Sequence, residues 1–306
     1  MTNNPPLLQG LVAATFTPMN ADGSINLDVI PQVVEHLVQH DIAGLYVLGS
    51  TGEGPSLTFE ERCQVALAYV QATAGRIPVV VQIGGESLRQ AQQLAEHAQE
   101  IGVSAISAVS PVYFKPDSVE TLVNSMAEVA SAAPELPFYY YHIPAATGLP
   151  ENMIEFLTLG GEQIENLRGI KFTSPSVHEY QACLEFSEGR YEILWGLDEM
   201  LLSGLSAGAI AAVGSTYNFA APIYRRIRAA FATGDLAEAR RQQARSQLLV
   251  RTFVPYGHRA AQKAIMAIAG CDCGPTRLPV APLDASATAA LRKDLEAIGF
   301  FDWLAE

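Results

Sequence analysis

One repeated theme constrains this chain more than any other feature. A short apolar, β-rich run is followed by a stretch with helical spacing, then by another apolar run. Eight such runs occur, at residues 10–17, 44–49, 78–83, 105–110, 137–143, 167–172, 191–196 and 209–215. Several are continuous rather than alternating, as in Val79-Val80-Val81 and Phe138-Tyr139-Tyr140-Tyr141. Continuous runs suit parallel strands covered on both faces. Between them, Ile30, Val33, Val34, Leu37 and Val38 fall on one helical face. Thr58 and Glu61 have capping-box spacing ahead of Val65, Ala66 and Leu67. A further helix is expected to start at Pro116 or Asp117 and run toward Val129. Units of about 30 residues with right-handed crossovers build either a closed barrel or a doubly wound sheet. Eight units favour closure, an α/β fold of the (β/α)8 TIM-barrel type.

After Thr216 the β signal stops, and residues 222–232, 236–251, 260–269 and 285–298 read as helices. The expected organisation is a barrel over 1–232 followed by a C-terminal helical extension over 233–306. Hydrophobic residues at 49% and charged residues at 17% supply a large core and argue against disorder. The formal net charge of -13 lacks the Lys and Arg surplus that a phosphate backbone requires, so nucleic acid is a poor partner. Residues 1–10 show no basic stretch followed by an apolar run, and no window is apolar for long enough to span a bilayer. A cytoplasmic protein without membrane partners is expected. Of the four cysteines, only Cys271 and Cys273 are close, and their spacing fits neither zinc nor a thioredoxin-like pair. Reduced, partly buried thiols are the expectation.

In a barrel of this type chemistry sits at the C-terminal strand ends and in the loops that follow. Lys171 is one of only four lysines, with Lys115, Lys263 and Lys293, and it alone falls inside an apolar strand run. Burial would lower its pKa and leave a neutral amine able to attack a carbonyl; the alternative is a lysine that snorkels or pairs with a carboxylate. The other three lie where a solvated charge costs nothing. Tyr141 ends the fifth run and could relay protons, or could simply fill the barrel. His142 points to the opposite side of the strand and reads as structural. Residues Gly49-Ser50-Thr51-Gly52-Glu53-Gly54 could let backbone amides cradle a carboxylate, or form an ordinary turn before a capped helix. Gly196-Leu197-Asp198-Glu199 and Gly214-Ser215-Thr216-Tyr217-Asn218 could bind sugar hydroxyls or cap helices. With no histidine beside Asp198 and Glu199, no metal site is expected.

The ordered set Gly49-Ser50-Thr51-Gly52-Glu53, Tyr141-His142-Ile143-Pro144, Gly169-Ile170-Lys171 and Gly214-Ser215-Thr216-Tyr217-Asn218 resembles the N-acetylneuraminate lyase and dihydrodipicolinate synthase family over essentially the whole chain. The resemblance implies a carbon–carbon lyase of the class I aldolase kind, with a pyruvate Schiff base on Lys171 and proton transfer by Tyr141. It implies Ser50 and Thr51 at the pyruvate carboxylate. Tyr113 would match an aromatic residue near the site, often across a subunit contact, and the family is usually tetrameric. Ala146 stands where synthases of the family carry an arginine for a second carboxylate, which disfavours that branch. Thr173, Gly196, Asp198, Glu199 and Ser215 match the sugar-binding positions of the sialic acid lyases. No cofactor is implied, because the lysine is itself the electron sink. A related aldolase on another 2-keto sugar acid, a metal-dependent aldolase and a non-catalytic sugar-acid binder remain alternatives at this point.

Overall fold

The computed structural model describes residues 5–149 and 152–306. Eight parallel strands close in sequence order into one barrel. They are β1 (Gly10–Ala14), β2 (Gly44–Val47), β3 (Val79–Gln82), β4 (Ala105–Ala108), β5 (Phe138–His142), β6 (Leu167–Phe172), β7 (Glu192–Trp195) and β8 (Ala211–Gly214). Helices connect them and wrap the outside, so both faces of every strand are covered. The continuous apolar runs thereby acquire a period of two. Val12, Tyr46, Val80, Tyr139, Tyr141 and Leu194 pack together inside the barrel. Their neighbours Leu11, Leu45, Val79, Tyr140, Ile193 and Trp195 belong to the larger core shared with the helices.

The same alternation aims the functional strand residues. In β6, Ile170 and Phe172 join the outer core, so Lys171 between them faces inward. Its partner in register on β5 is Tyr141. His142 faces outward, as expected, with its ring 5.1 Å from that of Phe172 in an aromatic seam that continues through Tyr180 to Trp195. The N-terminal mouth of the barrel is plugged. Glu192 accepts hydrogen bonds from the Leu7 amide (2.8 Å) and the Tyr139 hydroxyl (2.8 Å) and pairs with Arg168 at 2.6 Å. At the C-terminal end, a cavity opens directly onto Lys171 and Tyr141.

Several boundaries differ from expectation. The capping box of Thr58 and Glu61 is present and starts helix Phe59–Thr73. The helix expected from Pro116 or Asp117 instead begins after Ser118, whose hydroxyl caps Thr121 and starts Val119–Ala130. The first helix after β8 starts at Tyr217 rather than Pro222, because the chain turns helical at once and kinks at Ala220, two residues before that proline. Helices Leu236–Phe253, His258–Ile268 and Ala285–Ala297 follow, and a short one, Phe300–Ala305, was not anticipated. Leu249, Phe253, Ile265, Leu291 and Phe300 from these helices bury into the same core as the barrel. All four cysteines are free, three of them buried. Among the described residues no helix is long and apolar enough to cross a membrane.

Candidate active site

A cavity of about 260 Å³ opens at the C-terminal end of the barrel. Lys171 and Tyr141 form its floor, Ser50 and Thr51 come from the loop after β2, and Thr173 follows β6. Gly196, Asp198 and Glu199 after β7 and Ser215 after β8 complete the wall. Nine of the ten residues singled out from sequence therefore converge on one space. Tyr113 does not. It lies 81% exposed beside Phe114 in the loop after β4, outside the cavity of its own chain, held by Glu86 accepting from the Val112 and Tyr113 amides.

Lys171 is 4% exposed. Its Nζ lies 3.5 Å from the centre of the Tyr141 ring and 4.6 Å from that of Tyr46. Burial drives its pKa below the ordinary lysine value, against opposing pulls from Tyr141 and Asp198. Burial also pushes Tyr141 upward, but the Lys171 charge and hydrogen bonds with Lys171 and Ser50 outweigh it and leave the phenol below its usual value. A lysine that gives up its proton more readily than usual and a phenol acidified by it thus share one buried pocket, the pairing required of a nucleophile and its proton relay. Tyr46, donating to Ser107 at 2.9 Å, is driven the other way by burial and stays a neutral phenol.

Asp198 is 6% exposed, and burial with the neighbouring Glu199 raises its pKa to about 6. Its Oδ2 accepts from the Thr216 amide and hydroxyl, both at 2.7 Å. Two glycines make this possible. A Cβ on Gly214 would sit 2.3 Å from Asp198 Oδ1, and one on Gly196 would sit 2.1 Å from Thr173 Oγ1. Neither position tolerates a side chain while these polar groups hold their places.

The structure corrects the reading of Lys263 as a solvated charge. It is 2% exposed and pairs at 3.0 Å with Glu53, equally buried, of the Gly49–Gly54 loop. Lys263 also donates to the Pro275 carbonyl at 2.8 Å, and Glu53 Oε2 accepts the Arg277 amide at 3.0 Å. The loop that carries Ser50 and Thr51 is therefore clamped from behind by the C-terminal segment. In front, Gly54 approaches the Leu48 carbonyl so closely that a Cβ there would lie 2.0 Å from its oxygen.

Arg259 and Gln262, on helix His258–Ile268, also line the cavity and were missed from sequence. Gln262 donates to Ser215 Oγ at 2.8 Å and accepts from Arg259 at 3.1 Å. Among the described residues no group of three His, Cys, Asp or Glu side chains could hold a metal ion.

This geometry coincides with a match to the family model for the dihydrodipicolinate synthetase family over residues 7–298. The chain belongs to that family. Within it, the chain is 39% identical over 301 residues to the N-acetylneuraminate lyase of Rattus norvegicus, covering 97% of this chain and 94% of the relative. It is 41% identical over 296 residues to that of Gallus gallus, covering 95% and 96%. The solved Proteus mirabilis N-acetylneuraminate lyase superposes with a TM-score of 0.93 at 40% identity, covering 96% of this chain and 99% of that one. Family membership accounts for the closed barrel and for the helices that follow it.

Proposed function

We propose that this chain is an N-acetylneuraminate lyase, cleaving N-acetylneuraminate reversibly to pyruvate and N-acetylmannosamine. One observation carries the reading. Among the described residues, Lys171 is the one lysine on a barrel strand, buried at the open end against Tyr141, in a chain about 40% identical over nearly its full length to relatives bearing that name. Ala146 leaves no cation where a synthase would hold its second carboxylate, which favours a lyase over a synthase.

The neutral Lys171 amine attacks the C2 ketone of the open-chain sugar acid and water leaves, giving an iminium. That cation is the electron sink. Tyr141 takes the C4 hydroxyl proton, the C3–C4 bond breaks, the aldehyde departs and an enamine remains on Lys171. Protonation at C3 and hydrolysis release pyruvate and restore the amine. Ser50 and Thr51 hold the carboxylate, aligning the breaking bond. Asp198, Glu199, Ser215 and Thr173 face the hydroxylated tail, and Gly196 leaves the room for it. No cofactor takes part. The enzyme works in the cytoplasm as a homotetramer, in which Tyr113 approaches a neighbouring subunit's cavity.

The competing reading is the same chemistry on another 2-keto sugar acid. Steady-state assays with pyruvate as readout compare N-acetylneuraminate with 2-keto-3-deoxygluconate. The proposal expects a kcat/KM at least about 100-fold higher for the former, a difference of about 2.7 kcal/mol in transition-state binding. A preference for 2-keto-3-deoxygluconate overturns it.

A further inference from the structure

A chain of formal net charge -13 must draw an anionic keto acid into a cavity walled by two carboxylates, Asp198 and Glu199. Ser50 and Thr51 offer only neutral donors, and Lys171 works as a neutral amine. One guanidinium lines the cavity, that of Arg259. It is half-buried, and Gln262 Oε1 holds one of its N–H groups at 3.1 Å. Gln262 is itself fully buried and fixed by its bond to Ser215 Oγ. Among the described residues Arg259 makes no ion pair, so the rest of its planar fork is free to receive a ligand. Of the groups around it, Tyr141 attracts its charge most strongly, ahead of Asp198 and Glu53. The guanidinium therefore lines the same cavity as Lys171, Tyr141, Ser50 and Thr51.

We propose that Arg259 is a substrate-contacting residue that pairs with the carboxylate of the keto acid, adding a full positive charge to the neutral donors of Ser50 and Thr51. The proposal rests on the aldolase reading above and assigns that site's anion anchor to the C-terminal extension. A carboxylate bound there is offset electrostatically against Asp198 and Glu199, which otherwise repel it. Gln262 is the positioning residue, because it fixes the fork relative to Ser215.

The test is borohydride trapping of the full-length chain over a range of pyruvate concentrations, comparing the unaltered protein with Arg259→Gln and Arg259→Lys. The expected result is a rise of about 10- to 100-fold in half-saturating pyruvate for Arg259→Gln, the loss of one charge-assisted pairing. The saturating trapping rate should stay within about threefold, and Arg259→Lys, which keeps the charge, should recover most of the loss. Added salt should weaken pyruvate binding in the unaltered chain more than in Arg259→Gln. Unchanged half-saturation in Arg259→Gln, or an equal loss in Arg259→Lys, overturns the assignment. So does a defect that appears only with the sugar substrate, which would place the guanidinium on the aldehyde half. Failure to trap pyruvate on the unaltered chain sinks the aldolase reading instead, so the two outcomes are distinguishable.

Discussion

Lys263→Met tests whether the Glu53–Lys263 pair braces the Gly49–Gly54 loop. Both side chains are 2% exposed and meet at 3.0 Å. Methionine fills the space of the lysine stem but leaves the Glu53 carboxylate buried with only the Arg277 amide on its second oxygen. Removing one partner of a buried pair costs about 3–5 kcal/mol, most of it the desolvation of the charge left behind. Unfolding entropy of about 2.1 cal/mol/K per residue over 306 residues gives about 0.64 kcal/mol/K, so the expected loss in Tm is about 5–8 °C. Scanning calorimetry of Lys263→Met, Glu53→Gln and the double variant measures it. The double variant carries no buried charge and should regain at least half of the loss, since neutral replacement of a buried pair is well tolerated. Half-saturating pyruvate should also rise in Lys263→Met, because Ser50 and Thr51 ride on the loop that Glu53 anchors. A Tm within about 2 °C of the unaltered protein would refute the claim that this pair is a brace.

Tyr141→Phe should lower kcat for sugar cleavage by about 100- to 10,000-fold while pyruvate still traps on Lys171, because the relay is lost and the nucleophile is not. Asp198 binds its proton more tightly in the fold, at about 6, than its ordinary value of 3.8. Stability measured by urea unfolding should therefore fall as pH rises from about 4 to about 6, and Asp198→Asn should flatten that window. If Asp198 holds sugar hydroxyls as a carboxylate, the acid limb of kcat/KM near pH 6 should vanish in the same variant. Gly196→Ala forces a methyl against Thr173 Oγ1 and the Phe172 carbonyl, so it should cost about 1–3 kcal/mol and raise KM for the sugar acid more than for pyruvate.

The eight strands were legible because parallel strands buried on both faces demand unbroken apolar runs, and few other structures supply eight of them at even spacing. Lys171 stood out because a charge inside such a run needs a reason. Its register with Tyr141 needed only the period of two. Strand ends were read too long: the first run extends to Thr17, whereas β1 ends at Ala14, since Thr15, Phe16 and Thr17 stay buried beyond the end of the ladder. Lys263 and Arg259 share the opposite difficulty. Both lie on one helix of mixed polarity, and nothing in its periodicity reveals that it folds back over the barrel mouth, burying one cation and turning the other toward the cavity. Contacts between segments more than 200 residues apart, such as Glu53 with Lys263, leave no local trace. The exposure of Tyr113 was likewise invisible, because an aromatic residue after a strand reads the same whether it faces its own cavity or another surface.

Digestion and mass spectrometry of the chain, after borohydride reduction in the presence of pyruvate, test the central assignment. The account predicts one pyruvyl adduct, on the peptide containing Lys171, and none in Lys171→Ala. An adduct on Lys115, Lys263 or Lys293, or no adduct at all, would contradict it.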